Sequence, residues 1–207
     1  MDTQNIDDII PEQQTGGKTD IDYSETCKTV LDAVNLFVLA KDRLQDVNNW
    51  HNLCGPASAV FKLIDSNGVS VQRNAQRGDH FRINIPAPGT TAGDGYDWVK
   101  IEEIEDKSNP EGEEEAFAIQ VRPTAEPGKE AQNVAHFFKD FATSSFAVQR
   151  KGLTVTASVH GRNEVPNTDA DGILDKARNT LVAIGALIGF SNPQWKSLVK
   201  GLLEKSS

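Results

Sequence analysis

Hydrophobic positions change their spacing twice along the chain. Over residues 24–44 they recur every three or four residues, which predicts an amphipathic helix of about six turns. Between residues 58 and 160 apolar and polar residues mostly alternate, as in strands that bury one face. Helical spacing returns over residues 169–188 and again from residue 192 onward. The pattern therefore predicts a helix, a sheet and two further helices, in that order.

The sheet prediction depends on several short alternating segments. The clearest is residues 81–85, and residues 117–121 show the same alternation. Two hairpins are predicted, one over residues 58–73 across an Asn-Gly turn and one over residues 145–160 across a Lys-Gly turn. A short helix is predicted over residues 130–141. Together these segments predict an antiparallel sheet of six or seven strands.

An N-terminal helix and two C-terminal helices on one face of a curved antiparallel sheet make an α+β domain. This order of elements resembles the helix-grip layout of START and Bet v 1-type ligand carriers over residues 24–188. The resemblance is one of element order and extends to no particular motif residue. The helix after residue 192 departs from that layout. A small β-barrel with flanking helices is the alternative architecture.

The first 22 residues are polar and lack a sustained apolar period, so they are predicted to be a disordered tail. Residues 23–207 are predicted to form a single domain, since 207 residues with 38% hydrophobic content suit one core. No apolar run approaches the roughly 20 residues of a membrane helix. The start of the chain lacks a secretory pattern, and the two cysteines suit a reducing compartment. A cytoplasmic location is expected.

The net charge of -9 argues against nucleic acid as a partner, because the phosphate backbone carries the same sign. The glycine-rich stretch over residues 86–95 joins two predicted strands and matches neither the dinucleotide pattern nor the P-loop pattern. No cofactor is therefore expected.

The segment from His160 to Glu164 follows a predicted strand and carries several functional side chains. His160 and Glu164 are candidates for acid–base chemistry, with Arg162 as the holder of an anionic substrate. A strand-end turn whose charges pair structurally is the alternative, and it is favoured on general grounds. Periodicity places His160 on the polar side of its strand, with Thr156 and Ser158.

A second candidate is a calcium loop that begins at Asn167. Asn167, Asp169 and Asp171 occupy its first, third and fifth positions, and Gly172 occupies the sixth. The twelfth position, however, is Arg178 where an EF-hand has a bidentate glutamate. Capping of the following helix explains the same acidic residues, and this interpretation is favoured over calcium binding. No other metal site is indicated.

The favoured function is binding of a small apolar or amphipathic ligand, since a helix-covered sheet of this kind can enclose a pocket. A continuous pocket would support this hypothesis, and a solid core would oppose it. The large apolar residues predicted to line the pocket are Phe81, Trp98, Phe117, Phe146 and Leu181.

Two other functions are possible. The segment 181–190 is apolar nearly all round, and the helix with Trp195 follows it, which suggests an interaction module or a homo-oligomer formed through the C-terminal helices. A hydrolase-like enzyme that uses His160, Arg162 and Glu164 is the third hypothesis. It requires the side chains of His160 and Glu164 to point toward each other.

Overall fold

The structure is a computed structural model, and it describes residues 9–55, 58–84, 96–128, 139–165 and 192–204. The strands are β1 (Gly17–Thr26), β2 (Val60–Ile64), β3 (His80–Asn84), β4 (Asp97–Lys107), β5 (Glu114–Pro123), β6 (Thr143–Lys151) and β7 (Thr154–Glu164). The helices are α1 (Val30–Gln45), α2 (Trp50–Cys54) and α3 (192–203), with a 3₁₀ turn at Val47–Asn49.

The seven strands form one antiparallel sheet in the spatial order β1-β7-β6-β5-β4-β3-β2. β1 and β2 lie at its two edges, so the sheet is open and the alternative of a closed barrel does not apply to the described strands. The predicted α+β architecture with an antiparallel sheet is confirmed. None of the helices in the described ranges is long and apolar enough to cross a membrane.

The helices cover one face of the sheet, called here the inner face, and Trp50 lies at the centre of the contact. Its side chain is fully buried, and its ring centroid lies 5.3 Å from that of Phe61, 5.5 Å from that of Phe81 and 4.9 Å from that of Phe146. Trp195 of α3 packs against Phe146 at 5.3 Å. Aromatic packing therefore joins α2 and α3 to three strands.

Helix α1 begins later than the sequence pattern predicts, at Val30. Thr29 caps it, because its hydroxyl oxygen accepts the backbone N–H of Asp32 at 3.1 Å and supplies one of the missing helical bonds. Val30 and Leu31 fit the helical spacing, but they are exposed. The helix then runs to Gln45, close to the predicted end.

Residues 17–22, predicted to belong to a disordered tail, lie instead in strand β1. This strand pairs with β7 along its length, although the two are separated by more than a hundred residues in the sequence. Within β1, Ile21 is buried and its neighbours Asp20 and Asp22 are exposed, which is the alternation of a half-buried strand. The prediction failed because Ile21 and Tyr23 are the only large apolar residues in this strand.

Residues 9–16, the N-terminal strap, lie on the opposite, outer face of the sheet. Ile9 is buried there, and its carbonyl oxygen accepts hydrogen bonds from Gln120 Nε2 at 2.5 Å and Ser145 Oγ at 3.1 Å. At the other end of the strap, Asn163 Oδ1 accepts the backbone N–H of Gln14 at 2.8 Å. The strap is therefore tied to the sheet at both ends.

The first predicted hairpin is also different in the structure. Strand β2 pairs with β3, and the segment after the turn makes only an isolated bridge between Ile64 and Ser70. The carboxylate of Asp65 accepts the N–H groups of Asn67 and Val69, at 2.9 and 2.8 Å, so local hydrogen bonds close the turn without a second strand. The predicted helix over 169–188 and most of that over 130–141 lie outside the described residues.

Helix α3 is held at its C-terminal end by two features. A Cβ atom at Gly201 would lie 2.6 Å from the carbonyl oxygen of Leu53, so only glycine allows this approach to α2. Arg43 of α1 donates from Nη1 to the carbonyl oxygens of Gly201, at 3.0 Å, and Leu202, at 3.1 Å. These bonds satisfy carbonyl groups that the helix end leaves free.

Replacement of Trp50 by alanine should cost about 3–5 kcal/mol of unfolding free energy, since a fully buried tryptophan leaves a large cavity. Trp195→Ala is the matched control, because Trp195 belongs to the same aromatic cluster but is only partly buried. Urea denaturation of both variants measures the difference. Equal losses would show that Trp50 is not the centre of the core.

Candidate functional site

Strands β1 and β7 bring a group of charged and polar side chains together on the outer face. Their register places Asp20 opposite His160 and Asp22 opposite Ser158. Asp20 Oδ1 lies 2.7 Å from His160 Nδ1 and 2.7 Å from Arg162 Nη2, and Asp20 Oδ2 lies 2.9 Å from Lys18 Nζ. We call Lys18, Asp20, Ser158, His160 and Arg162 the Asp20 network.

The hydrogen-bond partners of Asp20 determine the direction in which its pKa is shifted. Burial alone would raise the pKa of Asp20, but the hydrogen bonds from His160, Lys18 and Arg162 outweigh this effect and lower the pKa to about 2. The group is therefore a carboxylate at neutral pH and can only accept hydrogen bonds. It follows that Nδ1 of His160 carries the proton in the bond to Asp20.

Arg162 is occupied by protein groups. Its side chain is 9% exposed. Nη1 donates to the carbonyl oxygens of Thr19, at 3.1 Å, and Gly161, at 2.8 Å, while Nη2 donates to Asp20. Both terminal nitrogens thus have partners. This arrangement supports a structural role for Arg162 and does not match the predicted role as a holder of a substrate anion.

Glu164 and His160 have different partners. Between Thr19 and Gly17 the register with β7 shifts, and Asn163 within the shift has a φ of 56°. Glu164 Oε2 accepts a hydrogen bond from Thr19 Oγ1 at 2.9 Å, and burial raises the pKa of Glu164. The carboxylate partner of His160 is therefore Asp20, and the structure does not contain the predicted acid–base pair of His160 with Glu164.

A groove lies at the same edge of the sheet, between β1 and α3. Its volume is about 450 Å³. The apolar part consists of Ile21, Tyr23 and Val199, and Lys196 and Lys200 lie on its helix side. The strand side adds Asp20 and Asp22. We call it the β1–α3 groove.

The residues predicted to line an internal ligand pocket do not share one environment. Phe81, Phe117 and Phe146 are buried in the inner-face core, with exposures of 3% or less. Trp98 is buried in a separate cluster with Ile64. Leu181 lies outside the described residues. Because Phe81 and Phe146 both contact Trp50, side chains fill the space between them.

The predicted calcium ligands Asn167, Asp169 and Asp171 also lie outside the described residues. Within the part of the chain that the structure describes, no group of three or more His, Cys, Asp or Glu side chains is placed to hold a metal ion. Of the two cysteines, Cys27 is buried, and burial raises the pKa of the Cys54 thiol to about 12. Cys54 is therefore not an activated nucleophile.

No protein-family model and no curated protein matches this sequence. Similar solved structures include Ara h 8.0201, with 13% identity, a TM-score of 0.37 and coverage of 91% of this chain and 100% of that chain. Ginseng major latex-like protein 151 from Panax ginseng has 16% identity, a TM-score of 0.34 and coverage of 84% and 96%. Norcoclaurine synthase from Thalictrum flavum, in complex with dopamine and hydroxybenzaldehyde, has 10% identity, a TM-score of 0.34 and coverage of 92% and 90%. Likeness at this level identifies neither a family nor a ligand.

Two features of the sheet edge at β1 were not predicted from the sequence. Asp20 belonged to the predicted tail, although the alternation of Asp20 and Asp22 with Ile21 and Tyr23 was a weak strand signal. The β1–α3 groove depends on how α3 packs, which no local pattern encodes. The polar orientation of His160, in contrast, was predicted from its parity with Ser158, and their hydrogen bond at 3.0 Å confirms it.

Asp20→Asn should lower the unfolding free energy by about 1 kcal/mol at pH 7, a value reduced for solvent screening because the Asp20 side chain is 40% exposed. The folded-state pKa is depressed from 3.8 to about 2, so this stabilisation is present above pH 3.8 and is lost as the pH falls toward 2. Urea denaturation between pH 7 and pH 2 should show the two proteins converge. Asp22→Asn, at the neighbouring exposed carboxylate, is the control and should change stability little at either pH. A constant difference across this range would contradict the assignment.

Proposed function

We propose that the protein binds a small amphipathic molecule with an anionic head group in the β1–α3 groove. The observation that supports this proposal is a groove lined by Ile21, Tyr23 and Val199 beside Lys196 and Lys200. A volume of about 450 Å³ falls within the range of about 300–1,000 Å³ that small-molecule sites occupy.

Two lysines supply positive charge on the helix side of the groove. In the described ranges, neither Lys196 nor Lys200 has an ion-pair partner, and both are exposed. Asp20 is engaged by Lys18 and Arg162, so its negative charge is compensated locally. Asp22 lines the strand side of the groove, and Glu25 and Glu204 lie close enough to Tyr23 to raise its pKa, so Lys196 and Lys200 are the groups that an anionic head group has to reach. A carboxylate or sulfonate on the ligand can therefore pair with the lysines while the apolar part covers the groove.

The groove also differs from the pocket expected in the interior. Trp50 and the phenylalanines around it fill the described part of the inner-face core, which leaves less room for a ligand there. The groove, by contrast, opens to solvent at an edge strand. A ligand in it would contact one strand and one helix and would not require the core to open.

The interaction-module hypothesis remains a prediction. Its main segment, residues 181–190, lies outside the described residues. The ring of Trp195 contacts Phe61 at 6.0 Å and Phe146 at 5.3 Å, so this side chain serves the core and supplies less exposed apolar surface than the sequence suggested. No described contact favours this hypothesis over ligand binding.

The probe for a binding test is decanoate, with decan-1-ol as the uncharged analogue, measured by isothermal titration calorimetry on the full chain. The double variant Lys196→Ala and Lys200→Ala should weaken decanoate binding about twofold to thirtyfold, since exposed ion pairs contribute about 0.2–1 kcal/mol each. Binding of decan-1-ol should not change, because it makes no ion pair.

The control is Lys62→Ala with Lys151→Ala, which removes the same net charge. Both lysines are exposed and are distant in sequence from the residues that line the groove. It should leave decanoate affinity unchanged. If both double variants weaken decanoate equally, the effect is one of net charge, and the groove is not the site. Absence of decanoate binding by the unmodified protein would also refute the proposal.

A further inference from the structure

The hydroxyl of Ser158 lies at the end of a chain of hydrogen bonds that begins at a carboxylate. Asp20 Oδ1 lies 2.7 Å from His160 Nδ1, and His160 Nε2 lies 3.0 Å from Ser158 Oγ. The Asp20 carboxylate accepts from Nδ1–H, so in the neutral imidazole Nε2 has no proton. Nε2 must then accept, and the Ser158 hydroxyl donates to it.

This order of groups is the one that activates a serine. A nucleophile needs a base within about 2.6–3.2 Å, and the base needs a third group that fixes its tautomer and stabilises its charged form. His160 and Asp20 meet both conditions for Ser158. All three residues lie on the paired strands β1 and β7, whose register holds Asp20 directly opposite His160.

We propose that Ser158 is an activated nucleophile that accepts an acyl group from a small activated ester. Ser158 Oγ attacks the carbonyl carbon while its proton passes to Nε2 of His160. The bond from the carbonyl carbon to the leaving oxygen then breaks, and the leaving group takes the proton from Nε2 or departs as an anion. The product is an ester on Ser158, and the reaction needs no oxidant, reductant or cofactor.

The surroundings of Ser158 limit the reaction to a single slow acylation. β7 lies between β1 and β6 and pairs with both, so its backbone N–H groups around Ser158 are used in the sheet. Among the described residues, no pair of free backbone N–H groups is therefore available for an oxyanion, and loss of even one such donor costs about 10²–10³ in rate. Ser158 is 7% exposed, so the ester must be small.

Ser24 provides an internal reference for reactivity. It lies on the same two strands and the same outer face, opposite Thr156, and its hydroxyl is 2.8 Å from that of Thr156. Ser24 is exposed, whereas Ser158 is buried. Accessibility alone would thus favour acylation of Ser24. Faster reaction at Ser158 would require activation by His160.

The experiment uses p-nitrophenyl acetate on the full chain at neutral pH, with peptide mass spectrometry to follow the acetyl group at each serine over time. We expect Ser158 to be acetylated at least about tenfold faster than Ser24. His160→Gln should slow the reaction at Ser158 by about a hundredfold or more, since a positioned general base contributes about 10²–10⁴. Asp20→Asn should also slow it, because the asparagine NH2 can donate to Nδ1 and so favour the tautomer in which Nε2 carries the proton.

The rate at Ser24 should stay the same in all three proteins, which controls for changes in reagent and fold. Acetylation of Ser158 no faster than that of Ser24 in the unmodified protein would overturn the proposal, and this comparison requires no variant to fold. Equal rates at Ser158 with and without His160 would overturn it as well. Such equality would show that the chain of hydrogen bonds only stabilises the pairing of β1 with β7.

Discussion

The packing of Trp50 against the inner face of the sheet is the contact on which the rest of the described structure depends. Its ring reaches side chains from β2, β3 and β6, and its Nε1 donates to the carbonyl oxygen of Leu44 at the end of α1. One residue therefore joins the sheet to the corner between two helices. Trp195 extends the same aromatic cluster into α3. The position of α3, and with it the β1–α3 groove, follows from this cluster.

The pairing of β1 with β7 has a comparable role on the outer face. Asn163 lies where the register shifts, and its backbone conformation separates Arg162, which pairs with Asp20, from Glu164, which pairs with Thr19. The Asn163 side chain also accepts the N–H of Gln14 in the strap. A left-handed conformation is more accessible to asparagine than to most residues. One residue thus sets the partners of two charged groups and holds the N-terminal segment.

Local patterns predicted the parts of the fold in which burial alternates strongly. Residues 81–84 and 117–121 lie in strands as predicted, and the parity of His160 with Ser158 holds. Strand β1 was not predicted, because it depends on pairing with β7 and Ile21 is its one buried residue. Asp20, the carboxylate partner of His160, was missed because it lies in this strand. His160 and Glu164 are four residues apart, and this spacing suggested a pair. The register shift at Asn163 gives them different partners, and sequence spacing does not show such a shift.

Asp20 belongs both to the Asp20 network and to the β1–α3 groove, and its negative charge acts on both. Lys18 and Arg162 compensate its carboxylate, and Lys196 and Lys200 are the cationic side chains among the residues that line the groove. His160 Nδ1 and Arg162 Nη2 both lie 2.7 Å from the same oxygen, Asp20 Oδ1. The carboxylate of Asp20 therefore bears on both proposals, through Lys18 and Arg162 beside the groove and through His160 Nδ1 in the chain of hydrogen bonds to Ser158.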